Sequence, residues 1–151
     1  MSNLGQASTQ KNTFSRQTSI QQVIQASPVT VWNLLTDVSQ YSEWNSTIIQ
    51  LEGKIEQGGN IKLTSTLDPN RVFKLRVKEF VPHQKLVWGD AMGRRTYSLE
   101  AQGAATLFGM EEKIGGLLFP LFASHIPSFD ASFEQFVADL KRAAEAPTKE
   151  D

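Results

Sequence analysis

Few side chains in this 151-residue chain are suited to chemistry: the adjacent carboxylates Glu111-Glu112, two histidines, the pair Arg94-Arg95, and Tyr97 and Trp88. Glu111 and Glu112 stand in an alternating run from Ala105 to Ile114, and neighbours in a strand point to opposite faces, so one of the two faces inward. Continuing the Phe108, Met110 register places Glu112 inside. An unpaired carboxyl in an apolar hollow has a raised pKa and can donate or accept a proton. On that reading Glu112→Gln leaves stability intact or raises it, because a buried charge is removed. The alternative is that the strand is ending and Glu112 reaches water at a rim. Tyr97 and Trp88 fall on apolar strand faces, where each is either core or a ligand contact; a buried Tyr97 hydroxyl needs a partner. Arg94 and Arg95 follow Gly93 and read as decoration of a hairpin rather than a carboxylate clamp. His83 falls in a turn, and His125, just before Pro127, either sits in a loop or rims a cavity.

Two histidines so placed make no metal site, and the absence of cysteine removes thiolate catalysis, disulfides and zinc–sulfur centres. No phosphate loop, nucleophile elbow or His-Glu-x-x-His pattern occurs. No catalytic residue, metal or cofactor is therefore assigned. Net charge is −1, from 15 basic and 16 acidic residues, with no block of either sign, so neither nucleic acid nor an acidic membrane is an expected partner. The longest apolar stretch, Ile114 to Ala123, contains Gly115-Gly116 and Pro120 and is too short to span a bilayer, so no membrane insertion is expected. The first twelve residues lack the apolar core of a secretory signal. A cytoplasmic protein, monomeric by default, is the expectation.

The elements that must position these groups follow from periodicity. From Ile126 to Ala144, apolar residues recur as Ile126, Phe129, Phe133, Phe136, Val137, Leu140 and Ala144, one stripe of an amphipathic helix. Ser132, Gln135, Asp139 and Arg142 form the opposite, solvated stripe. Five of the nine phenylalanines lie between Phe119 and Phe136, so this helix needs a broad apolar partner. That partner is a sheet. Period-two runs span Phe14 to Gln25, Ile48 to Ile55, Ile61 to Leu67, Arg71 to Phe80, Lys85 to Asp90, Arg94 to Ala101 and Ala105 to Ile114, about seven strands. Short turns such as Gly58-Gly59-Asn60 and Asp68-Pro69-Asn70 join them as antiparallel hairpins. Between the first two strands, Ser27 caps a helix with Pro28 at its first position, and a second short helix covers Val38 to Trp44. Residues 1–12 read as a disordered tail. The class is α+β with segregated helices.

Element order and local wording resemble the helix-grip superfamily of START-like domains, and within it the polyketide cyclase/dehydrase and lipid-transport (SRPBCC) family. The likeness is carried by Ala26-Ser27-Pro28, Val31-Trp32, Leu35-Thr36-Asp37, Tyr41 and Trp44-Asn45. Phe80-Val81-Pro82 with Lys85-Leu86-Val87-Trp88 adds to it, as does Glu111-Glu112 leading to Gly116-Leu117-Leu118 and Pro120-Leu121. The resemblance implies a START-like domain over 13–146, with a second tail at 147–151. It also implies a curved antiparallel sheet gripping the C-terminal helix around a cavity for a hydrophobic or amphipathic small molecule. Leu63, Phe73, Leu75, Trp88, Tyr97, Phe108, Met110 and Glu112 are the expected sheet-side lining, and Phe129, Phe133 and Phe136 the helix side. Members include lipid carriers, aromatic cyclases, hormone receptors and proteins of unknown role. Binding or transport of a hydrophobic molecule is the leading expectation; a cyclase or dehydratase and a chaperone-cofactor type of module stand beside it.

Overall fold

Alternating side chains commit much of the chain to one antiparallel sheet, and the computed structural model, which describes residues 4–147, contains eight strands. These are β1 (Ser8–Lys11), β2 (Ser15–Ile24), β3 (Ile48–Gly53), β4 (Asn60–Ser65), β5 (Phe73–Val81), β6 (Lys85–Gly89), β7 (Gly93–Gln102) and β8 (Ala105–Gly115). Their order is β1-β2-β8-β7-β6-β5-β4-β3. Successive strands from β3 to β8 pair as hairpins, while β2 pairs with β8 across the whole of its length. The tightest connection is Gly103-Ala104, between the paired Gln102 and Ala105. Gly103 has φ 62°, the left-handed conformation that the first central position of such a two-residue turn requires.

Between β2 and β3 run α1 (Pro28–Thr36), a 3₁₀ turn (Val38–Gln40) and α2 (Tyr41–Trp44). Ser27 caps α1, its Oγ accepting from the Thr30 N–H at 3.3 Å, and Asp37 caps the 3₁₀ turn by accepting from the Ser39 N–H at 3.1 Å. After β8 come a single turn, α3 (Phe119–Phe122), a 3₁₀ turn (Ala123–His125) and the long α4 (Asp130–Glu145). Helix α4 lies against β2, α1 and α2. It buries Phe133, Phe136, Val137, Leu140 and Ala144 in one core with Ile20, Ile24, Trp32, Trp44, Trp88, Tyr97 and Phe108. No helix of the described residues is long and apolar enough to cross a membrane.

The fold class is as expected, with three differences of detail. The sheet has eight strands rather than seven, because β1 forms within the stretch read as a tail. Its residues are too polar to show a buried face, but they pair with β2 from Ser8↔Ser19 to Lys11↔Arg16. Thr9 Oγ1 also donates to Asp130, and the Ala7 N–H donates to Glu134 at 2.9 Å, which ties this edge to α4. The expected tail at 147–151 falls, after Pro147, outside the described residues. Helix α4 starts at Asp130, four residues later than the apolar stripe: Ile126 precedes Pro127, whose ring excludes the helical conformation, and it is extended at ψ 120°. Finally, Asp139 is not solvated surface. It is 1% exposed, and both its oxygens are occupied. Oδ2 accepts from Ser46 N–H at 2.8 Å and Ser46 Oγ at 2.6 Å, and Oδ1 from Gln135 Nε2 at 2.8 Å and an Arg142 guanidinium nitrogen at 2.9 Å.

Candidate functional site

The inner face of β8 continues Phe108, Met110, Glu112, so Glu112 does point inward, at the end of the sheet where the chain leaves for α3. It stands opposite Arg95 on β7 and Thr18 on β2. Arg95 Nε donates to Glu112 Oε1 at 2.7 Å, with only 16% and 17% of the two side chains exposed. Arg95 also lies over the Phe133 ring, 5.2 Å from its centroid. Two expectations change here. Glu112 is not an unpaired charge, and Arg95 is not a hairpin decoration but the clamp on that carboxylate. Burial opposes the Arg95 charge, yet Glu112 and Tyr97 outweigh it and hold the guanidinium proton more tightly than usual.

One layer further in, Tyr97 pairs with Met110, and Met110 with Ile20. The Tyr97 ring stacks on Phe136 at 5.7 Å and on Phe108 at 6.2 Å, and meets Trp88 edge-on at 5.2 Å. Trp44 meets the same Phe136 ring edge-on at 5.6 Å. Aromatic side chains from sheet and helix therefore stack on one another across the centre of the grip. Tyr97 Oη and Trp44 Nε1, whose rings both meet Phe136, are buried in this packing without a hydrogen-bond partner. Asn45 Nδ2 is also buried and unpartnered, while its Oδ1 accepts from Thr47 N–H and Oγ1 at 2.8 Å. Tyr97 Oη is near enough to the Arg95 guanidinium for each to influence the other's ionisation, but it makes no well-formed hydrogen bond to it. Burial raises the Tyr97 pKa against the opposing pull of Arg95, so the hydroxyl stays protonated at neutral pH. Tyr41, raised further by burial, donates to the Leu35 carbonyl and is satisfied.

At the same end, Arg16 of β2 fastens the segment before α4. It is 8% exposed, lies 4.9 Å from the Phe129 ring centroid, and donates to the carbonyls of Ile126 at 3.1 Å and Pro127 at 2.7 Å. Phe129 in turn stacks on Phe133 at 6.2 Å.

Of the residues expected to line a cavity, Trp88, Tyr97, Phe108, Met110, Glu112, Phe129, Phe133 and Phe136 are thus brought into one neighbourhood. Leu63, Phe73 and Leu75 belong to β4 and β5, where Leu63 pairs with Phe73 and Ile61 with Leu75. Leu63 is buried and the other two are half-buried, Phe73 beneath the Arg71 guanidinium at 4.5 Å. His83 is exposed in the β5–β6 turn, at φ 66°, and His125 is exposed at the end of the 3₁₀ turn. Sequence reasoning weighed Arg95 but read it as surface, and passed over Arg16, Trp44 and Asn45 as functional residues. Parity held the signal for the arginines: Arg95 is two residues from Tyr97, and Arg16 shares the even-numbered face of Ile20 and Ile24.

The model of the polyketide cyclase / dehydrase and lipid transport family matches residues 15–145. The chain belongs to this family. Among solved structures, a conserved protein of unknown function from Enterococcus faecalis superposes with a TM-score of 0.69 at 16% identity, over 95% of this chain and 80% of that one. CalU16 from Micromonospora echinospora gives 0.64 at 17% identity, over 92% and 86%. BexL, the di-domain ARO/CYC of the BE-7585A biosynthetic pathway, gives 0.69 at 11% identity over 91% of this chain and 52% of BexL. These identities establish a shared fold. None of the curated proteins matches the sequence. For this family member, then, the helix-grip fold is shown, and the particular use of its interior rests on the residues themselves.

The arrangement offers donors. Tyr97 O–H, Trp44 N–H and Asn45 N–H₂ are all unspent, and the Arg95–Glu112 pair lies beyond the Tyr97 hydroxyl.

Proposed function

We propose that this protein binds a hydrophobic or amphipathic small molecule between α4 and the sheet. The aromatic core forms the walls, and an oxygen of the ligand accepts from Tyr97 and its polar neighbours. The observation that carries this reading is the pair of buried, unpartnered polar atoms at Tyr97 and Trp44, whose rings meet on Phe136 inside an otherwise apolar interior. An unsatisfied buried donor costs about 1–3 kcal/mol, and a ligand that accepts from it recovers that loss. Entry of a ligand requires Phe136 and its neighbours to move apart, a change a ligand can drive only through its own differential affinity.

The test is a thermal-shift screen of fatty acids, sterols, flavonoids and aromatic polyketides, with native mass spectrometry of freshly purified protein. Oxygen-bearing apolar compounds are expected to raise the unfolding midpoint, and nucleotides and sugars are not. At about 100 times the dissociation constant a ligand adds roughly 2.7 kcal/mol, or roughly 5–11 °C for a domain of this size. No hit among the apolar compounds, with no copurifying mass, would refute the reading.

Cyclase or dehydratase chemistry on an aromatic substrate is a second reading. It is favoured by the family description, by the likeness to BexL, and by the closeness of the Glu112 carboxylate to the protonated Tyr97. Turnover of a polyketide substrate that is lost in Glu112→Gln would move it ahead of binding alone.

A further inference from the structure

Three leucines stand bare at the end of the sheet where Glu112 and Arg95 lie. Leu117 is 87% exposed, Leu118 65% and Leu121 76%, while Phe119 between them is buried and anchors the turn. Phe14 and Met92, also exposed, belong to the same end: the Gly116 N–H donates to the Phe14 carbonyl and the Gly115 N–H to the Met92 carbonyl, both at 3.0 Å. A contiguous apolar tip of this kind on a folded domain marks an interaction surface.

The charges around the tip indicate which. Arg94 and Lys113, both exposed, are direct cross-strand partners on β7 and β8, immediately before the tip. Like charges placed opposite one another weaken a sheet, and neither side chain has an ion-pair partner among the described residues. Exposed Lys11 ends β1 at the same end of the sheet. Of the nearby acids, Glu112 is neutralised by Arg95, while Asp90, which accepts from the Met92 and Gly93 N–H groups, and Asp130, which accepts from Thr9, form no ion pair with the basic side chains of the tip. Glu111 is exposed two pairs further along the same strands, opposite Thr96, and forms no ion pair. Protruding leucines collared by unneutralised basic side chains complement a bilayer interface: apolar groups enter the acyl boundary while cations meet anionic headgroups.

We propose that the Leu117, Leu118 and Leu121 tip, with Arg94, Lys113 and Lys11, docks this protein peripherally on an anionic lipid bilayer. The proposal is independent of what the interior binds, although docking here would present the Arg16-pinned end of the grip to the membrane.

The experiment is co-sedimentation of the full chain with vesicles of phosphatidylcholine alone and of phosphatidylcholine with phosphatidylglycerol. Wild type is expected to sediment with the anionic vesicles, and less so as salt is raised. Arg94→Gln with Lys113→Gln should weaken partitioning by about 25-fold, roughly fivefold for each charge at an anionic surface. Leu117→Ser with Leu118→Ser and Leu121→Ser should abolish it. Lys74→Gln with Lys78→Gln, exposed on β5, should bind as wild type does. Circular dichroism melts confirm that each variant is folded; if the leucine triple is not, the charge variants and the salt series still decide. Wild type remaining in the supernatant with both vesicle types overturns the proposal, as does equal loss in the β5 control. A dimer in sedimentation velocity that the leucine substitutions convert to monomer, without vesicle binding, overturns it too and assigns the tip to a second copy of this chain.

Discussion

Helix α4 buries two polar neighbourhoods that differ in how completely their hydrogen bonds are made. Around Asp139, both carboxylate oxygens are taken by Ser46, Gln135 and Arg142, and the site fastens α4 to the start of β3. Around Phe136, one turn earlier, Tyr97 Oη and Trp44 Nε1 have no partner. Saturated networks rigidify a fold, whereas unsaturated ones carry a standing cost that folding alone does not explain. The difference separates a polar site that builds the protein from one that is available to a ligand, although both are buried on the same helix.

The comparison breaks most visibly at the ion pair beyond Tyr97. Glu112→Leu leaves the Arg95 guanidinium buried without its carboxylate and should lower stability by about 3 kcal/mol, toward the small end of the range for broken buried pairs because both groups are partly exposed. Adding Arg95→Met should restore most of that loss in urea unfolding. Recovery by the double variant distinguishes an uncompensated charge from a packing defect. Glu112→Gln should also destabilise, by a smaller amount.

The saturated site comes next. Asp139→Ala removes the acceptor of four donors and should cost about 2 kcal/mol, seen as a lower urea midpoint at unchanged slope.

The same site carries a pH signature. Burial works to raise the Asp139 pKa, but the Ser46, Gln135 and Arg142 interactions together hold it below the ordinary 3.8. A carboxyl whose folded pKa is depressed binds fewer protons folded than unfolded. Its contribution is therefore fully present above the unfolded value and is lost as pH falls through the folded one. Glu145, lowered from 4.5 first by the Gln25 N–H and then by Lys141, acts in the same direction. Wild type and Asp139→Asn should differ at pH 7 and converge as pH falls below about 4. Equal differences at all pH values would mean that the charge of Asp139 does not matter.

Much of this was legible in the residues. Strict alternation gave the β4 to β8 hairpins, and the Phe108, Met110 parity oriented Glu112 correctly. The same parity from Tyr97 orients Arg95, but a guanidinium two residues from a turn reads as surface unless its partner is known. That partner lies seventeen residues away, across a strand pair. Asp139 hid for a related reason. Helical spacing places it three residues from Phe136, at the margin of the buried stripe, and only the 93-residue contact with Ser46 decides that it faces inward. Strand β1 left no pattern because it is held by backbone pairing and by Thr9 and Ala7 contacts to α4 rather than by an apolar face. The unpartnered atoms of Tyr97 and Trp44 cannot be read from sequence at all, since what marks them is the absence of a neighbour.

The smallest change in stability carries the largest information. Tyr97→Phe deletes an unsatisfied hydroxyl and keeps the stacked ring, so the unliganded protein should be as stable as wild type or up to about 1 kcal/mol more so. The deciding measurement is calorimetric titration of wild type and Tyr97→Phe with one oxygen-bearing apolar compound taken from the thermal-shift screen. A dissociation constant about tenfold weaker for Tyr97→Phe, the worth of one hydrogen bond, with an undiminished midpoint for the free protein, is the predicted result. Equal affinity for the two proteins, or a Tyr97→Phe variant markedly less stable than wild type, would contradict the assignment of the unsaturated site to a ligand.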